Sequence, residues 1–144
     1  MKKRSFAKTL SANDLGVTGS HQAGILVPKS EPELLSFFPE LDSSVINPDA
    51  WIVCVDDSGK EWKLRFIHYN NRIHTESGTR NEYRLTHLTP FFKRASAKPG
   101  DQLIFTATSM PARYLITVSR ADDKRTVDGI DPPVIALKGW RRIH

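Results

Sequence analysis

Arg80, Glu82 and Arg84 fall at every second position of Thr79-Arg80-Asn81-Glu82-Tyr83-Arg84. Positions i, i+2 and i+4 of an extended strand share one face. The three residues therefore form an arginine–carboxylate–arginine row. A guanidinium forks onto O6 and N7 of guanine, and a carboxylate accepts from the N4 amino group of cytosine. The row is thus chemically fit to read a G/C base edge. Taken alone, the same spacing also describes a solvated strand face with cross-paired charges, so its surroundings decide.

Two polar loops supply those surroundings. Residues 11–24 carry Gly16, Gly19 and Gly24 together with Ser11, Asn13, Thr18, Ser20, His21 and Gln22. Residues 69–79 carry Asn70, Asn71, Arg72, His74 and Gly78 and lead directly into the arginine row. Glutamine and asparagine pair bidentately with adenine, while serine, threonine, asparagine and backbone amides hold phosphate oxygens. As ordinary surface loops these compositions mean little. Beside the most basic segment of the chain they form a candidate duplex-binding cleft.

Other chemistries have weaker support. Pro48-Asp49 followed by Glu61-Trp62-Lys63 has the form of a PD-(D/E)xK nuclease site, in which two carboxylates hold a divalent ion and a lysine lies near the attacking water. The pattern is short and common, and Asn47-Pro48-Asp49 reads equally well as a turn before a strand. His21, His68, His74, His87 and His144 show no metal-ligand spacing, and Gly-x-Ser-x-Gly, P-loop and dinucleotide signatures are missing. With Cys54 alone, an internal disulfide and a cysteine-cage zinc site are excluded. A single-strand or RNA binder needs exposed aromatic rings, whereas Trp51, Trp62 and Phe66 read as alternating core residues. Neither a metal nor a cofactor is expected.

At 144 residues the chain reads as a single domain, residues 1–144, with room for one core. The net charge of +5 is modest but segregated. Residues 31–57 hold seven acids and no Lys or Arg, whereas residues 60–98 hold nine Lys or Arg and three acids. Such polarity gives one side on which a polyanion can dock. No apolar run approaches a membrane span and Met1-Lys2-Lys3-Arg4 leads into no signal core, so a cytoplasmic protein without membrane contact is expected.

The elements that must position these residues are short. Residues 6–10 alternate as a first strand and Ile25–Val27 form a second, stopped by Pro28. Ser30-Glu31-Pro32-Glu33 reads as a helix start with a serine cap, the helix running to Phe38 and burying Leu34, Leu35 and Phe38. Trp51–Val55 and Trp62–Ile67 make a hairpin around Asp56-Asp57-Ser58-Gly59-Lys60. A strand over Arg80–Leu85, a short helix at Pro90–Arg94 and strands near Gln102–Thr108 and Tyr114–Ser119 follow. A turn falls at Ala121–Lys124, Pro133–Leu137 closes the sheet, and Trp140-Arg141-Arg142 is left as a basic tail. The expectation is a mainly β fold, a seven-stranded open barrel with one or two short helices.

Leu10-Ser11-Ala12-Asn13-Asp14-Leu15-Gly16-Val17-Thr18-Gly19-Ser20-His21-Gln22-Ala23-Gly24-Ile25, with Pro28, resembles the opening of the amino-terminal effector-binding domain of EcoRII-type restriction endonucleases. Tyr69-Asn70-Asn71-Arg72 and Thr79-Arg80-Asn81-Glu82-Tyr83-Arg84-Leu85-Thr86 resemble its second signature, in the right order. The resemblance covers residues 6–90. It implies a pseudobarrel similar to the plant B-three DNA-binding domain, with two arms, here 11–25 and 69–84, that enter the major groove. It also implies base reading by His21, Arg80, Glu82 and Arg84 of a short G/C-containing, CCWGG-like site. Gln22, Asn81 and Tyr83 complete the expected base-facing set. Ser11, Asn13, Lys29, Asn70, Asn71, Arg72, Lys93 and Arg94 are the expected phosphate contacts. Three positions depart from the pattern: Tyr83 stands where the family has lysine, Gly78 where a basic residue is usual, and Leu26 where it has tyrosine. The expected function is sequence-specific duplex DNA binding without a catalytic site of its own, cutting being left to a fused or associated nuclease domain of a bacterial enzyme. A small metal-dependent nuclease using Asp49, Glu61 and Lys63 is the alternative.

Overall fold

A computed structural model describes residues 4–16, 24–121 and 139–144. Its strands are β1 (Ser5–Thr9), β2 (Gly24–Val27), β3 (Asp49–Val55), β4 (Glu61–Tyr69), β5 (Glu82–Thr86), β6 (Gln102–Ala107), β7 (Arg113–Ser119) and β8 (Trp140–Arg142). Three short helices interrupt them: α1 (Pro32–Phe37), α2 (Asn71–His74) and α3 (Thr89–Ala95). The strands form one eight-stranded sheet in the order β2-β5-β4-β3-β7-β6-β1-β8. The β3–β7 pair is parallel and the other pairs are antiparallel.

The sheet curls until its two edges meet. The indole N–H of Trp140, on edge strand β8, donates to the carbonyl of Leu26 on the opposite edge strand β2 at 2.9 Å. Trp140 itself is fully buried against Phe38 and Phe105. The expected basic tail is therefore the eighth strand: its tryptophan faces the core, and burying such a ring stabilises the fold by about 1.5–3 kcal/mol. The open barrel of the sequence reading is observed with one strand more. The proposed closing strand at Pro133–Leu137 and most of the turn at Ala121–Lys124 lie outside the described residues.

Alternation sets the two faces. Ile52 and Cys54 of β3, Leu64 and Phe66 of β4, and Leu85 of β5 point into one apolar cluster with Phe6, Phe105 and Ile116. Phe37 and Phe38 plug the barrel from the end of α1, where Phe38 touches the rings of Phe66, Phe105 and Tyr114. The apolar face of α1 is thus Leu34 and Phe37, with Phe38 as C-cap, and Leu35 is only partly buried. Its N-cap is Glu31 followed by Pro32, not Ser30, and Glu31 makes no side-chain cap. Burial pushes the Cys54 thiol up to about 12, which makes it an inert core group.

The β3–β4 turn is built by Asp56, whose Oδ1 accepts from the backbone N–H groups of Ser58 (2.9 Å) and Lys60 (3.0 Å). Gly59 supplies the left-handed residue at φ 87°. Hydrogen bonds from Ser58 and the Trp62 indole hold the Asp56 carboxyl well below the usual carboxylate range.

Trp51 reverses an expectation. It lies on the outer face of β3, between inward Ala50 and Ile52, and is 51% exposed. Trp62 and Phe66, at even positions of the next strand, face inward as expected. A tryptophan at an odd position of β3 cannot share the core with Ile52 and Cys54, because strand side chains alternate. Its ring instead meets that of His87 edge-on at 4.8 Å.

Candidate nucleic-acid interface

The segment expected to be the second arm leaves β4 at Tyr69 and returns through β5. The observed strand begins at Glu82, so Arg80 and Asn81 belong to the arm's last turn rather than to the sheet. Even so, Arg80, Glu82 and Arg84 lie side by side. Glu82 Oε2 accepts from Arg80 Nη2 at 3.3 Å and also from Arg84 Nε in a short ion pair. The side chains are 42%, 28% and 29% exposed in that order, so the row is open to a ligand yet partly sheltered. Partial burial opposes ionisation of Glu82, but hydrogen bonds and charge from Arg84 and then Arg80 outweigh it, and its carboxyl sits below the ordinary value.

The same alternation removes Asn81 and Tyr83 from that face. Tyr83 stacks on His68 with ring centroids 4.1 Å apart and planes 10° apart, and on Phe66 at 5.7 Å. The Asn81 amide oxygen bonds His68 Nε2 at 2.8 Å. Both residues turn toward His68 and away from the row, contrary to the expectation that they read bases: Tyr83 alternates with Glu82 and Arg84 along β5, and Asn81 is held by its bond to His68. Tyr83, one of the three departures from the expected pattern, packs partly buried against the core. Beneath it His68 is buried, and its Nδ1 has no partner among the described residues.

Asn70 corrects a third expectation. It is fully buried, and its side chain ties down the segment 43–47. Its Nδ2 donates to the carbonyls of Val45 (2.8 Å) and Ser43 (3.4 Å), and its Oδ1 accepts from the Asn47 N–H at 2.7 Å. Asn47 returns the bond through its own Oδ1 to the Asn70 N–H at 3.2 Å. His74 adds a contact to Ser43 O at 2.9 Å. Asn70 is therefore the bolt of the arm's root, not a phosphate contact. Its neighbour Asn71 accepts the Arg80 backbone N–H at 2.8 Å, and the Arg72 N–H donates to Arg80 O at 3.0 Å, leaving the Arg72 side chain exposed. Gly78 is required here by contact: a Cβ would overlap backbone atoms of Asn71 and Arg72.

Lys29 is brought to the site, its Nζ donating to Asn81 O at 3.2 Å. Lys93 and Arg94 are not. They end α3, which packs Phe91 against Trp62 at 5.6 Å. Trp62 and Tyr69 lie seven residues apart on β4, or ~23 Å at strand rise, so these cations sit at the far end of the sheet from the row. The contiguous basic run of the sequence is thereby divided.

Of the segment expected to be the first arm, residues 11–16 and 24–25 are described. Ser11 and Asp14 exchange hydrogen bonds, Ser11 N–H to Asp14 Oδ2 at 3.0 Å and Asp14 N–H to Ser11 Oγ at 3.1 Å. Asp14 is held in turn by the buried Lys8 at 2.8 Å. Asn13 lies in the same turn, where its carbonyl accepts from Gly16 N–H. His21 and Gln22, with Thr18 and Ser20, lie outside the described residues. Neither the Lys8–Asp14 anchor nor the Asn47–Asn70 bolt was singled out from sequence, since each joins residues of unremarkable type.

The nuclease constellation does not assemble. Asp49 pairs with Ile67 and Glu61 with Val55, six residues apart along β3, or ~20 Å. Each carboxylate has its own arginine, Asp49 with Arg65 and Glu61 with Arg113, both at 2.6 Å. Two carboxylates so far apart cannot share one divalent ion. Among the described residues no group of three or more His, Cys, Asp or Glu is arranged to hold a metal, and no helix is long and apolar enough to cross a membrane.

A family model described as restriction endonuclease EcoRII, N-terminal, matches residues 2–106. The chain is similar to the type II restriction enzyme EcoRII of Escherichia coli, 37% identical over 84 residues that make up 56% of this chain and 20% of the enzyme. It is also similar to auxin response factor 14 of Oryza sativa subsp. japonica, 31% identical over 101 residues, 69% of this chain and 13% of that protein. The chain thus spans a fifth or less of the length of these relatives.

Proposed function

Because this chain belongs to the EcoRII N-terminal family, we propose that it is a DNA-binding domain that reads a short G/C-containing sequence in duplex DNA. The observation that carries this reading is the Arg80–Glu82–Arg84 row, in which one carboxylate at the start of β5 is shared by two guanidinium groups. The row retains net positive charge and spare N–H donors, as a guanine edge requires. In this reading the second arm lies in the major groove, Arg80 and Arg84 fork onto guanines, and Glu82 accepts from a cytosine amino group. Lys29 and Arg72 hold phosphates, and the first arm brings His21, with Gln22, to the same base pairs. A CCWGG-like site is compatible with this donor and acceptor order.

The similarity to a restriction enzyme supports a parent context in which this region recognises DNA while a fused or associated nuclease domain cuts it. The separation of Asp49 from Glu61 argues against cutting by this chain itself. Selection of bound duplexes from a random library tests the reading: enrichment of one short G/C-containing motif supports it, and recovery of unrelated sequences contradicts it. Competition by single-stranded oligonucleotides separates duplex recognition from stacking on the exposed Trp51.

A further inference from the structure

Tyr69 ends β4 directly opposite Glu82, where its ring meets the guanidinium of Arg80, with Cζ 3.8 Å from the ring centroid. That separation is within stacking range for a guanidinium on an aromatic face. The backbone of Arg80 is fixed independently by Asn71 Oδ1 and the Arg72 N–H, and the close approach of Gly78 draws that turn tight. What remains free is the orientation of the side chain. The contact to Glu82 at 3.3 Å restrains the position of one nitrogen. A bidentate bond to guanine also requires the plane of the fork to be set, since both N–H vectors lie in it. The ring of Tyr69 supplies that restraint.

We propose that Tyr69 is a positioning residue for Arg80 and thereby determines specificity at the base pair Arg80 reads. The proposal rests on Arg80 acting as a base reader. Stacking needs the ring and not the phenol hydroxyl, so phenylalanine serves at position 69 and leucine does not. Leucine keeps an apolar side chain at the strand end, so it separates loss of the ring from loss of packing. Any contact of Tyr69 with DNA through its hydroxyl would give the opposite pattern, with phenylalanine failing as well.

The test uses the full chain, the duplex best enriched in library selection, and the set of its single-base-pair variants. Affinities are measured by fluorescence anisotropy for wild type, Arg80→Ala, Tyr69→Phe and Tyr69→Leu, with thermal melts of each. The expected result is that Tyr69→Leu loses roughly two- to thirty-fold of discrimination, confined to the base pair at which Arg80→Ala loses it. Binding to unrelated duplex stays within about twofold, and Tyr69→Phe behaves as wild type. If Tyr69→Leu keeps full discrimination while Arg80→Ala loses it, Tyr69 does not position the arginine. A uniform loss of affinity across all duplexes, or a matching loss in Tyr69→Phe, also overturns the proposal. If Arg80→Ala itself leaves every preference intact, the assignment of Arg80 as a reader fails with it.

Discussion

Two patches on the outer face of the same sheet use the same residue types to different effect. On β3, β4 and β7, two arginines meet two carboxylates: Arg65 with Asp49 and Arg113 with Glu61, each at 2.6 Å. On β5 and the residues just before it, two arginines share one carboxylate, Glu82. One-to-one pairing cancels the charge of each guanidinium against its own partner. Two-to-one sharing restrains both arginines while leaving a net positive charge for a ligand. Stoichiometry, not arginine count, distinguishes a structural patch from a candidate reader.

The largest expected effects break that distinction directly. Arg84→Ala and Arg80→Ala should each cost about 1–3 kcal/mol on the preferred duplex and relax selectivity at one base pair, as measured by anisotropy on substituted duplexes. Arg65→Ala should change preferred-site affinity by less than about 1 kcal/mol, since Asp49 pairs with its Nε and balances its charge. Equal losses in all three variants would mean that the two patches act alike.

Of similar size, but on stability, is Asn70→Ala. Removing the buried Asn70 amide strips its hydrogen bonds from the Asn47 N–H and the Val45 C=O and should cost about 1–3 kcal/mol in denaturant unfolding. Asn71→Ala loosens only the backbone of Arg80 and should cost less stability while eroding selectivity. An Asn70→Ala protein of wild-type stability would remove the bolt from the account.

A smaller effect sharpens the comparison through pH. The Glu82 carboxyl is held below its ordinary value of 4.5. A depressed value in the folded state means its contribution is fully present above about 4.5 and fades as pH falls through the folded value. The stability difference between wild type and Glu82→Gln should therefore be flat from pH 7 to about 5 and shrink on further acidification. A difference that already shrinks near pH 6.5 would point to a histidine instead. The smallest expected effect is that of Lys93→Ala, on α3 at the distant end of the sheet, which should leave duplex affinity within about twofold.

Much of the fold was legible because the central hairpin alternates: the β3–β4 pair, its Asp56–Lys60 turn and the inward set Trp62, Leu64 and Phe66 follow from period two. Trp51 and Trp140 were misread for one reason. A tryptophan looks like core wherever it falls, and a Trp-Arg-Arg segment looks like a tail, until strand phase and a partner strand are known. The row of Arg80, Glu82 and Arg84 was readable from its spacing, and the same phase rule should have turned Asn81 and Tyr83 inward. Asn70 was not separable from Asn71, because a single turn of α2 sends adjacent amides to opposite sides. Lys93 and Arg94 follow the arm closely in sequence, yet the intervening strand carries them away from it.

The most direct measurement compares Arg84→Ala with Arg65→Ala in their ratio of affinities for the enriched duplex and an unrelated one. The account predicts that this ratio collapses by roughly tenfold or more in Arg84→Ala and holds in Arg65→Ala. A ratio preserved in Arg84→Ala, or lost equally in both, would contradict the claim that the shared-carboxylate row reads the DNA sequence.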